Sequence, residues 1–251
     1  MLKALLLAAG RGTRLRPLTD TIPKCLVPVG DRSLLDYWVE ALLAAGVKEA
    51  IINTHHFPEK VRQAIARINA STPLHLVESN ESELRGSAGS VKNTVEHLDL
   101  ADATNVLLIY ADNLSNVSLS ELLRFHRSHE QGATMMLFRA PDPTACGIVE
   151  LDSSGTVQAF VEKPSAPKCN LANAGVLVFD AKVLREVAKM KAFDLSRDVL
   201  PRFVGRIKGF IHTGYHRDLG SLAAWRRAQA DVAEGRFTHP PASIRTSVRT
   251  G

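Results

Sequence analysis

The sequence predicts an α/β fold, a doubly wound and mostly parallel sheet covered by helices, with a small mixed β insertion late in the chain. Three observations carry this. Short apolar runs of strand length alternate with helical segments that open on capping residues. The composition is 45% apolar but only 6% aromatic, which suits an aliphatic parallel sheet buried on both faces. At 251 residues the chain is long enough for one sizeable core.

Each element has its own signal. Leu2–Ala8, apolar apart from Lys3, reads as a fully buried strand. Ser33-Leu-Leu-Asp36 is a capping box with Asp in the Glu position, and the helix it opens ends at Gly46. Residues 49–54 form the second strand, and Pro58 starts a helix over 58–69. Leu74–Glu78 is a third strand, Ser90–His97 a helix, Asn105–Tyr110 a buried strand, 118–130 a helix and Ala133–Arg139 a strand. From Gly147 the pattern changes. Gly147–Leu151 and Thr156–Glu162 flank a Ser153-Ser-Gly155 turn as a hairpin, and Ala172–Phe179 follows as another strand. These read as a smaller mixed layer over one end of the core. A strand around Phe210–Thr213 and a helix over Ser221–Glu234, with Gly235 behind it, complete a single domain over 1–235. Residues 236–251, which include His239-Pro-Pro241, read as a disordered polar tail. No internal repeat is present.

Charge and cysteine usage narrow the function classes. The net charge is +5, but Arg236, Arg245 and Arg249 stand in a tail without acids, so residues 1–235 carry about +2. That is a poor basis for nucleic-acid binding. Cys25, Cys146 and Cys169 are odd in number and widely spaced, which fits reduced thiols and a cytoplasmic protein. The apolar run Ala4–Ala9 is shorter than a signal-peptide core, and no stretch approaches the roughly 18 apolar residues of a membrane span.

The chemistry concentrates where the first strand ends. Gly10-Arg11-Gly12-Thr13-Arg14-Leu15-Arg16-Pro17 closes with Pro23-Lys24. Glycines let the backbone approach phosphates, and guanidinium groups neutralise them. No Walker string occurs. A dinucleotide fingerprint has Gly where this chain has Leu15, with Pro17 two residues on, which disfavours a NAD dehydrogenase. Two readings remain: a loop wrapping a nucleoside triphosphate, and an ordinary βα turn with surface arginines. The second explains one basic residue better than four. Asp112, at the carboxyl end of a strand, and Asp218 each read as a metal ligand or as a turn or cap residue.

The string from Gly10 to Thr19, followed by Pro23-Lys24-Cys-Leu26-Val-Pro28, resembles the signature of the sugar-1-phosphate nucleotidylyltransferases, G-x-G-T-R-L-x-P-L-T then P-K-x-L-x-P. The resemblance extends over residues 1 to about 235 and leans toward bacterial guanylyltransferases acting on mannose or heptose 1-phosphate. It implies a Rossmann-like, glycosyltransferase-A-like sheet, a nucleoside triphosphate and a sugar 1-phosphate as partners, and Mg²⁺ as cofactor. By this resemblance Arg14, Lys24 and Lys163 are catalytic. Ala9, Gly10, Gly12, Thr13, Gly86, Ser87 and Asp112 contact the nucleotide. Gly147, Glu162, Lys163, Asn173 and Gly175 contact the sugar phosphate, and Asp112 and Asp218 hold the metal. Neither nucleic acid nor a membrane is implied. Relatives are often homo-oligomers, and their products feed cell-surface polysaccharide.

The chain departs from the family pattern at Ala111, Cys146 and His216, which stand where relatives carry Gly, Tyr and an aromatic residue, and at Glu83-Leu84-Arg85. These departures bear on base and sugar, and leave a uridylyltransferase acting on glucose or amino-sugar phosphate as the alternative. A non-catalytic regulatory paralogue is the alternative of another class, although every charged site residue is retained. His55 and His56 read as a packed or surface pair, His126 and His129 as part of a solvated basic face with Arg124 and Arg127, and Trp225 as core or interface.

Overall fold

A computed structural model, which describes residues 2–97, 100 and 104–238, is organised around a nine-stranded sheet. The chain enters through strand β1 (Leu2–Leu7), crosses the glycine–arginine loop, and forms a small ribbon from β2 (Pro28–Val29) and β3 (Arg32–Ser33). Helix α1 (Leu34–Ala44) opens on the expected capping box: Ser33 Oγ accepts from Asp36 N at 3.2 Å, and Asp36 Oδ2 accepts from Ser33 N at 3.1 Å. Then come β4 (Glu49–Thr54), α2 (Pro58–Ser71), β5 (His75–Asn80), α3 (Gly86–His97), β6 (Asn105–Tyr110), β7 (Asn113–Ser115), α4 (Leu119–His126) and β8 (Ala133–Arg139). The late region contributes β9 (Gly147–Leu151), β10 (Val157–Glu162), β11 (Leu171–Asp180), α5 (Ala181–Lys189), β12 (Lys208–Ile211), β13 (His216–Asp218) and α6 (Leu222–Ala233).

The sheet has two halves. Strands β6, β1, β4 and β5 are parallel neighbours, while β11 runs antiparallel to β6, β8 and β9 and joins the halves. Alternation along β1 buries both faces: Leu5 and Leu7 join one core with α3 and α5, Ala4 and Leu6 a second with α1, α2 and α4. All ligand-facing loops of the parallel half therefore leave from one edge.

Three expectations change. The hairpin β9–β10 is no separate layer over the core; it continues the central sheet through β11, with Ala172 opposite Ile148. The helix expected over 118–130 stops at His126. Finally, His126 does not lie on a solvated face. It is buried, with Nδ1 2.8 Å from Thr134 Oγ1 and Nε2 3.3 Å from Asp180 Oδ1, and His129 Nε2 reaches the same threonine at 2.8 Å. Loss of solvation lowers both imidazole pKa values, His129 to about 4, so the pair is neutral near pH 7.

Phe237 is buried, its ring edge-on to Tyr37 and Tyr215 at centroid distances of 5.3 Å each. The rest of the expected tail, 239–251, lies outside the described residues. Among the described residues no helix is long and apolar enough to cross a membrane.

Candidate active site

The edge where β1 and β6 end carries one wall of a cleft of about 450 Å³. The loop after β1 is pinned at its base, since Asn53 Oδ1 accepts from Ala8 N at 2.6 Å. Further along, Thr19 Oγ1 donates to Gly12 O at 2.8 Å. The loop delivers Lys24 to a position only 7% exposed. A lysine so withdrawn from water needs anionic partners. It has two: its Nζ is 2.6 Å from Asp112 Oδ2 and 3.6 Å from Asp218 Oδ1.

Separate segments bring these carboxylates together. Ala111 N donates to Leu7 O at 3.0 Å, extending the β6–β1 register and setting Asp112 at the sheet edge. Strand β13 pairs antiparallel with β7, Asp218 opposite Asn113, and Leu219 N donates to Asp112 O at 3.2 Å. Desolvation and the neighbouring Asp112 charge raise the Asp218 pKa, against the opposing pull of Lys24 and Arg14. Arg14 reaches this corner over Gly220, where a Cβ would lie 2.9 Å from Asp218 Oδ2 and 3.0 Å from Arg14 Nη2. A side chain there would push the Arg14 guanidinium or the Asp218 carboxylate aside.

The opposite wall comes from β9, β10 and β11. Lys163 has a left-handed backbone (φ 49°), rare for a lysine, and its N–H donates to Cys146 O at 2.9 Å. Its Nζ is 3.8 Å from Glu162 Oε1 and its side chain is 59% exposed, in contrast to Lys24. Partial burial raises the Glu162 pKa, with the Lys163 charge opposing. Asn173 Oδ1 accepts from Gly175 N at 3.0 Å, and Asn113 Nδ2 donates to Ala174 O at 3.1 Å, tying this wall to the β7–β13 ribbon.

Of the residues expected from sequence, Arg14, Asp112, Gly147, Glu162, Lys163, Asn173, Gly175 and Asp218 line this cleft, and Lys24 joins its two carboxylates. Ala9, Gly10, Gly12 and Thr13 form the supporting loop without lining it. Gly86 and Ser87 stand outside. Ser87 Oγ donates to Asp194 Oδ2 at 3.3 Å and accepts from Leu195 N at 2.8 Å. Tyr110, Phe138, Arg217 and Ser196 also line the cleft, and sequence reasoning missed them. Tyr110 and Arg217 each adjoin a signature segment, a signal that could have found them; Phe138 and Ser196 offer none. His216 packs on Phe138 at a centroid distance of 4.4 Å, and burial lowers its pKa to about 3. His55 Nδ1 and His56 Nε2 lie 2.9 Å and 3.0 Å from the carbonyls of Glu81 and Thr19, as a packed pair should. Trp225 Nε1 donates to Pro28 O at 2.7 Å. A second hollow of about 500 Å³ opens beside Ser118, Arg124 and His212, and holds none of the expected residues.

The arrangement suits two anionic ligands meeting between a cationic, carboxylate-bearing corner and a lysine–glutamate wall. Residues 3–235 match the nucleotidyl transferase family. The chain is 31% identical over 236 residues to a mannose-1-phosphate guanylyltransferase of Mycobacterium tuberculosis, covering 92% of this chain and 65% of that protein. Over 223 residues it is 31% identical to a mannose-1-phosphate guanyltransferase of Neurospora crassa, covering 87% and 61%. It thus spans a little under two thirds of the length of these relatives. The solved structure of a candidate glucose-1-phosphate thymidylyltransferase from Bacillus anthracis, in complex with a sucrose, shares the fold with a TM-score of 0.81 at 20% identity, over 96% of this chain and 97% of that one. The family match covers both walls of the cleft, and the chain belongs to the nucleotidyl transferase family.

Proposed function

We propose that this chain transfers a nucleoside monophosphate from GTP to mannose 1-phosphate, or to a related heptose 1-phosphate, and releases pyrophosphate. One observation carries the reading: a single cleft holds Arg14 and the Lys24–Asp112–Asp218 cluster at one end and Glu162–Lys163 at the other. The relatives named as mannose-1-phosphate guanylyltransferases support the choice of base and sugar.

The chemistry needs no general base. The second pKa of a phosphate monoester is about 6, so the attacking oxygen is already ionised near neutral pH. It attacks the α-phosphorus in line with the departing pyrophosphate. The obstacle is repulsion between two polyanions, which positioning and charge stabilisation overcome. Arg14 and Lys24 hold the triphosphate and stabilise charge in the transition state. Lys163 orients the sugar phosphate, while Glu162 and Asn173 accept hydrogen bonds from sugar hydroxyls. Two carboxylates converging on one ammonium are a hard-oxygen donor set that fits Mg²⁺, with nucleotide phosphates as the remaining donors. Held by Asp112 and Asp218, Mg²⁺ would supply further neutralisation at the α-phosphate. Three free cysteines suit a reducing compartment, and we assign the protein to the cytoplasm.

A pyrophosphate-release assay over four nucleoside triphosphates and a panel of sugar 1-phosphates tests this. GTP with mannose or heptose 1-phosphate should give the highest kcat/KM. Preference for UTP with a glucose or amino-sugar phosphate would overturn the substrate assignment. Failure of every pair would overturn the reaction itself and favour a regulatory paralogue.

A further inference from the structure

We propose that Asp231, on α6 and outside the cleft lining, is a positioning residue that sets the spacing of the Asp112–Asp218 pair. This rests on the reading of that pair as the metal-holding site. Asp218 ends β13, a three-residue strand whose ladder partner is the equally short β7. A two-stranded ribbon this short has no stability of its own, so its place is set by what anchors it.

The β7 side is anchored to the body of the domain. Trp38 Nε1 donates to Asn113 O at 2.9 Å, and Asn113 Nδ2 donates to Ala174 O at 3.1 Å. Besides the packing of His216 on Phe138, the polar side-chain anchor on β13 is Arg217. Its Nη2 donates to Asp231 Oδ2 at 2.7 Å, and its Nε donates to the Tyr215 hydroxyl at 2.9 Å. That hydroxyl donates to the same Asp231 oxygen at 2.8 Å, and Arg236 Nε donates to Oδ1 at 2.8 Å. Asp231 is 7% exposed, so this is a nearly buried carboxylate held between two guanidinium groups and a phenol.

Such a cluster contributes little net stability, because desolvation offsets most of the Coulomb attraction. What it supplies is geometry. The planar fork of Arg217 fixes the roll of β13 one residue before Asp218. Strand alternation then sends the Asp218 side chain the other way, to within 3.6 Å of Lys24 Nζ. Asp231 thus acts on the pair through Arg217 and the strand, without touching substrate.

The test is the gain in GTP affinity on adding Mg²⁺, measured by calorimetry without sugar phosphate, alongside Tm. Asp231→Asn keeps the shape and removes the charge. It should cut the Mg²⁺-dependent gain about tenfold, the low end for outer-shell changes at a metal site, and leave Mg²⁺-free GTP affinity at the parent value. Arg217→Lys keeps the charge, loses the fork, and should move the same quantity in the same direction. Arg236→Gln removes the more exposed arm and should leave the gain unchanged. An unchanged gain in both Asp231→Asn and Arg217→Lys, whatever happens to Tm, would reduce the cluster to a structural role. Should Asp231→Asn not fold, Tyr215→Phe deletes one donor to the same oxygen: a loss of about threefold supports positioning, and no loss overturns it. Asp218→Asn separates this from the reading beneath it. If that variant keeps the full Mg²⁺ gain, the metal-site reading falls; if it loses the gain while Asp231→Asn does not, only the positioning role falls.

Discussion

The two ends of the cleft treat charge in opposite ways. At the Arg14–Lys24 end the lysine side chain is 9% exposed and already paired with Asp112 at 2.6 Å. At the Glu162–Lys163 end the lysine side chain is 59% exposed, and its carboxylate neighbour stands off at 3.8 Å. The first end is a compact cluster held in place by parallel strands and a ribbon; a ligand there enters a balanced set of charges. The second is a half-open wall of antiparallel strands, where a ligand meets a cation still largely in water. Under the proposed reaction, the first end would stabilise charge in the transition state and the second would capture and orient an incoming anion.

Variants at the two ends should therefore fail in different kinetic constants. Asp218→Asn and Arg14→Ala should each lower kcat at least about 10²-fold, the scale of losing one preorganised stabilising group. Steady-state pyrophosphate release measures this, and turnover within about threefold of the parent in both would remove the charge-stabilising role. Lys163→Ala should raise KM for sugar 1-phosphate about tenfold or more, as expected for a lost charge-assisted hydrogen bond, with GTP affinity unchanged. Equal losses for both substrates would erase the distinction between the ends.

How much of each end could be read from sequence also differs. Arg14 and Lys24 belong to one contiguous string whose glycines and cations point to phosphate, and the capping box at Ser33 is equally local. The convergence of Asp112 with Asp218 is another matter, because it depends on the β7–β13 ribbon, and three-residue strands leave almost no periodic signal. Lys163 was legible only through the family resemblance; nothing in Glu162-Lys163-Pro164 announces a left-handed backbone. The β9–β10 hairpin was found by its turn, but its attachment to the central sheet through β11 is a long-range pairing. His126 was misplaced for a similar reason. Its helix neighbours are arginines, while the partners that bury it, Thr134 and Asp180, come from β8 and β11.

Glycine substitutions test the rigidity of the two ends. A Cβ on Gly147 would lie 2.6 Å from Phe160 Cζ and 2.8 Å from Glu162 Oε2, whereas one on Gly10 meets nothing within 4 Å. Gly147→Ala should therefore cost about 1–3 kcal/mol of stability by overpacking. Gly10→Ala should stay within about 0.5 kcal/mol, like other unstrained surface changes. Chemical denaturation of the two variants compares them directly, and equal losses would show that the loop is packed as tightly as the hairpin.

The smallest expected effect concerns Glu162, whose pKa burial raises above the ordinary carboxylate value of about 4.3. Between the unfolded and folded pKa values the folded state binds more protons, so stability declines as pH rises through that window. At neutral pH the ionised Glu162 is thus a net cost to the fold, which the proposed hydrogen bonds from sugar hydroxyls would explain. Glu162→Gln should raise Tm slightly at pH 7, with the difference closing on acidification below the usual carboxylate range. The same variant should raise KM for sugar 1-phosphate and leave the nucleotide untouched. Acidifying the parent adds protonation of the substrate phosphate near pH 6, so the Glu162 contribution is the part of the pH profile that the Gln variant lacks. A lower Tm for Glu162→Gln at pH 7 would mean that the carboxylate stabilises the hairpin, and the sugar wall would then be as charge-balanced as the corner it faces.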